Sequence, residues 1–171
     1  EIERRYLVLE KPPFLLRLDS HDIEQWYAPD LAGLIPPERI DLDSLHEKIR
    51  IRRRDDEWIA TLKGPWNGIS RLEEEWSISP MNCPKDWPHI HKTRYLWSDS
   101  DGLVWEIDVF HGPLEGLMIA EIELPEEDFF FNIPKWVAGE VTAEPGWSNA
   151  ELAVSNYFEV IQSIVMFAEE E

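Results

Sequence analysis

The chain has 171 residues, 43% hydrophobic and 30% charged, the make-up of a soluble globular protein with one core and too few residues for two. Sixteen Lys and Arg against 35 Asp and Glu give a net charge of −19, which repels duplex DNA and anionic membranes and excludes both as partners. No apolar run approaches the roughly 20 residues of a membrane-spanning helix, nothing reads as a signal peptide, and the lone Cys83 can form neither an internal disulfide nor a thiolate zinc site, so the expectation is a single cytoplasmic domain over 1–171.

Residues 1–8, Glu1-Ile2-Glu3-Arg4-Arg5-Tyr6-Leu7-Val8, alternate with a period of two, as a strand does. Glu1, Glu3 and Arg5 share one face, and Ile2, Tyr6 and Val8 the other. Alone, such a polar face would be ordinary solvent exposure. Lys11-Pro12-Pro13 ends the strand. A second strand is expected over 21–28, with Ile23, Gln25 and Tyr27 on one face, followed by a connection over 29–47 holding a helical turn near 43–47.

The charged alternation then returns. Over 48–54, Arg50 and Arg52 oppose Ile49 and Ile51, and the polar cluster Arg54-Asp55-Asp56-Glu57 makes a hairpin turn. Over 58–63, Thr61 and Lys63 oppose Ala60 and Leu62; Gly64-Pro65-Trp66-Asn67-Gly68 turns the chain; over 69–78, Arg71, Glu73 and Glu75 oppose Leu72, Trp76 and Ile78. Three prolines over 80–88 rule out a long helix, and His89 and His91, two apart, share a strand face as surface histidines or a metal pair. Lys92 and Arg94 oppose Thr93, Tyr95 and Trp97; Glu106 and Asp108 oppose Trp105, Ile107 and Val109; Glu121 and Glu123 oppose Ala120, Ile122 and Leu124. Hairpin turns between these strands predict an antiparallel meander. Gly139-Glu140-Val141-Thr142 is a short final strand, and Ser148-Asn149-Ala150-Glu151 is a capping box opening one amphipathic helix over 150–168, packed on the sheet.

Seven of the sixteen basic residues fall on the collected polar face, together with most of the paired carboxylates. A long meander curls or closes, which turns one face inward. Buried charge costs several kcal/mol per ion unless it is paired or occupied. Salt bridges across a purely structural tunnel are one answer. A polyanion with a divalent metal is another, in which cations cradle phosphate oxygens and carboxylates hold the metal.

The motifs Glu1-x-Glu3-x-Arg5, Arg50-x-Arg52, Thr61-Leu62-Lys63, Arg71-x-Glu73-x-Glu75, Lys92-Thr93-Arg94-Tyr95, Glu106-Ile107-Asp108-Val109-Phe110, Ala120-Glu121-Ile122-Glu123-Leu124 and Gly139-Glu140-Val141-Thr142 follow one another as in the CYTH domains, the triphosphate tunnel metalloenzymes. This resemblance covers nearly the whole chain. It implies an α+β fold, an eight-stranded antiparallel β-barrel or tunnel with flanking helices, including the C-terminal one.

It further implies a metal-dependent hydrolase of triphosphates, inorganic triphosphate first among them, with an organic triphosphate as the other class of partner. The alternatives are a class IV type adenylyl cyclase making cyclic AMP and a polyphosphate sensor without turnover. By the resemblance, Arg5, Arg50, Arg52, Lys63, Arg71, Lys92 and Arg94 bind phosphate. Glu1, Glu3, Glu121 and Glu123, with Glu73 and Glu75, hold Mg²⁺ or Mn²⁺, and Tyr27, Asp108 and Glu140 are the catalytic candidates. Tyr27 belongs to Gln25-Trp26-Tyr27, which resembles a Gln-Gly-Tyr motif whose tyrosine is a proposed proton acceptor; an ordinary rim aromatic is the competing reading. Relatives often form homodimers, which leaves the oligomeric state open.

Two departures stand out. Arg5 replaces the usual lysine, which removes a neutral amine as general base and keeps phosphate binding. In Glu144-Pro145-Gly146-Trp147-Ser148-Asn149, many bacterial relatives carry a basic residue and a tyrosine ahead of the asparagine, so one rim contact is absent here.

Overall fold

The computed structural model of the protein describes residues 1–28, 49–64 and 67–170, with 164–170 as backbone alone. The connection expected over 29–47, Lys48, and the Pro65-Trp66 part of the next turn lie outside the described residues. Eight strands, β1 (Glu3–Leu7), β2 (Asp19–Ala28), β3 (Ile49–Arg54), β4 (Glu57–Lys63), β5 (Glu73–Ser77), β6 (His89–Ser98), β7 (Val104–Phe110) and β8 (Met118–Glu123), form one antiparallel sheet. Their order is β1-β8-β7-β6-β2-β3-β4-β5.

The expected single meander is thus two. β2 to β5 and β6 to β8 each run neighbour to neighbour, joined where β2 pairs with β6, and β1 is added on β8. Pro80, Pro84 and Pro88 in the β5–β6 connection cannot donate to a ladder, so the chain crosses back to β2 instead of turning into a hairpin. The sheet is not closed into a barrel by hydrogen bonds among the described residues, where β1 and β5 are edge strands with no ladder between them. Backbone links between these edges among the described residues include an isolated bridge from Ile2 to Ser70, a 3.1 Å hydrogen bond from Arg71 N to Glu1 O and a 2.6 Å bond from the Glu1 amino group to Arg71 O. β5 is only five residues long and begins beyond that point, which leaves the rest of the gap unpaired.

The alternation read from sequence determines which face each side chain takes. On the outer face, Ala28, Ile49, Ile51, Ala60 and Leu62 pack beneath Trp58, Trp76, Met81 and Trp87. Further along it, Tyr6, Trp105, Ile107, Ala120 and Ile122 lie under Phe129, Phe131 and Trp136. Among the described residues, the segments that cover this face are irregular. Aromatic residues bury enough area to cover a sheet without forming regular structure.

On the inner face a third cluster joins Leu7, Ile90, Phe110 and Ile119 to Val141, Trp147, Leu152 and Val160. Each contributing strand carries charge beside these apolar residues, with Arg5 two positions from Leu7, Lys92 from Ile90, Asp108 from Phe110 and Glu121 from Ile119. The C-terminal segment thus closes one end of the inner face and leaves the charged end open.

The helix expected over 150–168 is two helices, α1 (Asn149–Leu152) and α2 (Tyr157–Glu170). Ser148 accepts from Glu151 N at 3.1 Å and its hydroxyl reaches Glu151 Oε1 at 2.9 Å, the expected capping box. A second box follows, since Glu159 N donates to Asn156 Oδ1 at 3.0 Å and Asn156 Nδ2 to Glu159 Oε1 at 3.1 Å. Asn156 competes with the helix backbone for these bonds and restarts the helix. The segment 139–142 forms an isolated bridge from Glu140 to Tyr6, shorter than the strand expected there.

Candidate active site

The open end of the inner face encloses a cavity of about 830 Å³. Of the expected site residues, Glu1, Glu3, Arg5, Arg50, Arg52, Lys63, Arg71, Glu73, Glu75, Arg94, Glu121 and Glu123 line it. They come from six strands and the edge connections, brought together by registers such as Arg5 opposite Glu121 and Glu3 opposite Glu123.

Four expected residues do not reach the wall. Lys92 and Asp108 are fully buried behind it, with Lys92 Nζ donating to Asp108 Oδ2 at 2.7 Å. Arg94 holds the same carboxylate through Nε at 2.8 Å and Nη2 at 2.9 Å, so Asp108 orients an arginine that lines the cavity. Burial would raise the Asp108 carboxyl, but Arg94 and Lys92 outweigh it and hold it below the usual range. Burial pulls the Lys92 ammonium down to about 7 against the opposing pull of Asp108. Tyr27 is buried off the wall, its hydroxyl accepting from Gln25 Nε2 at 2.8 Å, and burial raises its pKa, which suits a fixed phenol better than a proton acceptor. Glu140 sits on the outer side, paired with Arg4 at 3.3 Å, because Arg4 falls on the opposite face of β1 from Arg5.

Most charges on the wall are matched. Lys63 Nζ lies 3.1 Å from Glu1 and 3.4 Å from Glu73, and Arg71 Nε donates to Glu1 at 3.0 Å. Arg50 donates to Thr61 Oγ1 at 3.2 Å and lies 3.6 Å from Glu75, while Arg94 pairs with Glu106. Burial would lift Glu121, yet Arg5, Arg94 and Lys92 hold it far below the carboxylate range.

Among the wall charges without an opposite partner in the described residues, Arg52 and Glu3 carry large pKa shifts. Arg52 is fixed by Gln25 Oε1, 3.1 Å from Nε and 3.0 Å from Nη2, and has no carboxylate partner among the described residues. Burial, then repulsion from Arg50 and Arg94, pulls its guanidinium down to about 9. Glu3 has no hydrogen-bonded or ion-paired partner among the described residues, and burial followed by repulsion from Glu121 and Glu1 pushes its carboxyl up to about 8. One part of the wall therefore wants an anion and another wants a cation.

Glu3, Glu121 and Glu123 on adjoining strands offer the oxygen-only ligand set that Mg²⁺ or Mn²⁺ takes, and the repulsion at Glu3 is what such an ion would relieve. Arg54, Trp147, Ser148, Asn149 and Glu151 also line the cavity, outside the expected set. Arg54 continues the Arg50–Arg52 alternation and could have been read from it. The other four come from the loop ahead of α1 and from α1 itself, a stretch marked in the sequence as a capping box but not as part of the site.

No protein-family model matches the chain. An inorganic triphosphatase of Acetivibrio thermocellus is 41% identical over 120 residues, 65% of this chain and 74% of that protein. One from Nitrosomonas europaea is 34% identical over 162 residues, 91% of this chain and 97% of that protein. The chain belongs to the inorganic triphosphatase family. A crystal structure of an inorganic triphosphatase, 31% identical, superposes with a TM-score of 0.59 over 91% of this chain and 98% of that one.

In this member of the inorganic triphosphatase family Arg5 makes two contacts. Its guanidinium pairs with Glu121 through one nitrogen and donates from Nη2 to Trp147 O at 2.8 Å, which ties β1 to the loop ahead of α1. A lysine ammonium has the charge but not the planar fork for both contacts. Behind the wall, the Lys92→Met substitution removes one of two cations from a fully buried carboxylate. It is expected to cost about 3 kcal/mol, read as a lowered denaturation midpoint, with a smaller change in KM than any cavity-lining cation gives.

Proposed function

We propose that this protein hydrolyses inorganic triphosphate with Mg²⁺ or Mn²⁺, in a tunnel formed where the sheet curls around the charged cavity. The observation that carries the reading is the pair of unmatched groups on one wall, Arg52 calling for an anion and Glu3 for a cation. A linear triphosphate carrying a divalent ion supplies both. The names of relatives at 34% and 41% identity support triphosphate as the substrate and lend nothing to the cyclase or sensor alternatives.

Arg50, Arg52 and Lys63, on adjacent strands, would bind the phosphate oxygens, with Arg52 aimed by Gln25 and Arg94 aimed by Asp108. These fixed donors stabilise charge on the terminal phosphoryl group as it is transferred. Glu3, Glu121 and Glu123 would hold the divalent ion, whose chemistry is to neutralise phosphate oxygens and acidify water. A wall carboxylate would take the proton of the attacking water, a reading supported by the absence of Tyr27 and Asp108 from the cavity lining.

The test is a product-resolved assay with inorganic triphosphate and ATP in Mg²⁺ or Mn²⁺. Phosphate and pyrophosphate from triphosphate, abolished by EDTA, are the expected result. Cyclic AMP from ATP, or tight triphosphate binding with no product over hours, would overturn it.

A further inference from the structure

A second cluster of ligating groups lies on the other side of the sheet, where β2 runs between β3 and β6. Asp22, Glu24 and His91 each place one ligating atom within 4.8 Å of the others. The register puts Glu24 opposite His91 and His89 opposite Trp26, so strand alternation gathers both carboxylates and both histidines on the outer face. His91 Nε2 lies 2.8 Å from Asp22 Oδ1, and His89 Nε2 lies 3.1 Å from Glu24 Oε2.

Arg53 approaches from β3 and shapes the cluster. It donates to Asp22 Oδ2 at 2.6 Å and to Glu24 Oε1 at 3.2 Å. One oxygen of each carboxylate is thereby held, and the other is left facing the histidines. His111, in contact with Thr93 Oγ1 at 2.7 Å, lays its ring against His91 with centroids 4.8 Å apart. Exposed ion pairs contribute little on their own, and two carboxylates oriented by one arginine toward two imidazoles exceed what solubility requires.

We propose that Asp22, Glu24 and His91 form a binding site for a borderline first-row divalent cation such as Zn²⁺ or Ni²⁺, with His89 beside it on Glu24. Imidazole nitrogen with carboxylate oxygen selects such ions over Mg²⁺, whereas the cavity offers oxygen alone. The bound ion ties β2 to β6, the seam between the two meanders, whose inner faces carry Gln25 and Arg94. The site does not depend on the proposed hydrolysis.

Calorimetric titration of EDTA-treated protein with ZnCl₂ or NiCl₂, in Mg²⁺ sufficient to fill oxygen-only sites, tests it. A single saturable equivalent is expected, weakened at least about tenfold in His91→Ala and in Asp22→Asn. Circular dichroism of the metal-free variants should match the parent, since these side chains are partly or largely exposed. If either variant misfolds, the His91 imidazole resonances of the unaltered protein decide, because Zn²⁺ must shift them. Unchanged Zn²⁺ affinity and stoichiometry in folded His91→Ala, no Zn²⁺ binding that survives Mg²⁺, or unmoved His91 resonances would overturn the proposal.

Discussion

The Glu3→Gln variant, freed of metal, is expected to melt higher than the parent at pH 9 while its Mg²⁺-dependent turnover falls. Glu3 titrates near 8 in the folded protein against an ordinary 4.5, raised by burial and by Glu121 and Glu1. A group with a raised folded pKa binds more protons folded than unfolded, so its stabilising contribution is whole below pH 4.5 and lost as pH rises through 8. Above pH 8 the parent carries an unrelieved buried carboxylate. The ceiling on that penalty is about 5 kcal/mol, and rearrangement around Glu121 reduces it to a few. The gap between the two melting curves should therefore open between pH 5 and pH 9 and close in acid. Divalent metal should raise the parent's melting temperature at pH 9 far more than the variant's. Loss of a ligand should cost turnover at least the roughly 10- to 100-fold that a supporting contact at a metal site costs. A variant that melts lower than the parent at pH 9, or binds Mg²⁺ unchanged, would remove Glu3 from the metal site.

Arg52→Ala should reduce kcat/KM for triphosphate by about 100-fold or more, the scale of losing one preorganised donor. The melting temperature of the unliganded protein should scarcely move, because relief of repulsion from Arg50 and Arg94 offsets the lost bonds to Gln25. Arg52→Lys should recover only part of the activity, since an ammonium cannot reproduce the guanidinium fork. Triphosphate should cease to stabilise the alanine variant against heat. Full activity in folded Arg52→Ala would sink the assignment of this arginine to the anion seat.

What could be read from the chain by itself was the facing of each strand. Strict alternation placed Arg50 and Arg52 against Ile49 and Ile51, and Glu121 and Glu123 against Ile122, and the structure keeps these facings, because a pleated strand has a period of two whatever it pairs with. The same logic gathered thirteen of the cavity-lining residues, Glu106 among them, before any pairing was known. It failed where depth mattered. Lys92 and Arg94 share a face, yet only Arg94 reaches the cavity, because the C-terminal segment packs on Ile90 and Phe110 and closes the space over Lys92. Glu140 was misplaced because a four-residue motif does not reveal which edge of β1 it will join.

The sequence by itself determined, through alternation and charge, that an acidic protein would collect cations and carboxylates on one inward face. Only the tertiary structure decided which of those charges neutralise one another. Strand order and register set Arg5 against Glu121 and Lys63 between Glu1 and Glu73, and left Glu3 and Arg52 without opposite partners among the described residues. The reason is that pairing falls off over a few ångströms between strands far apart in the chain, and no local pattern encodes that proximity.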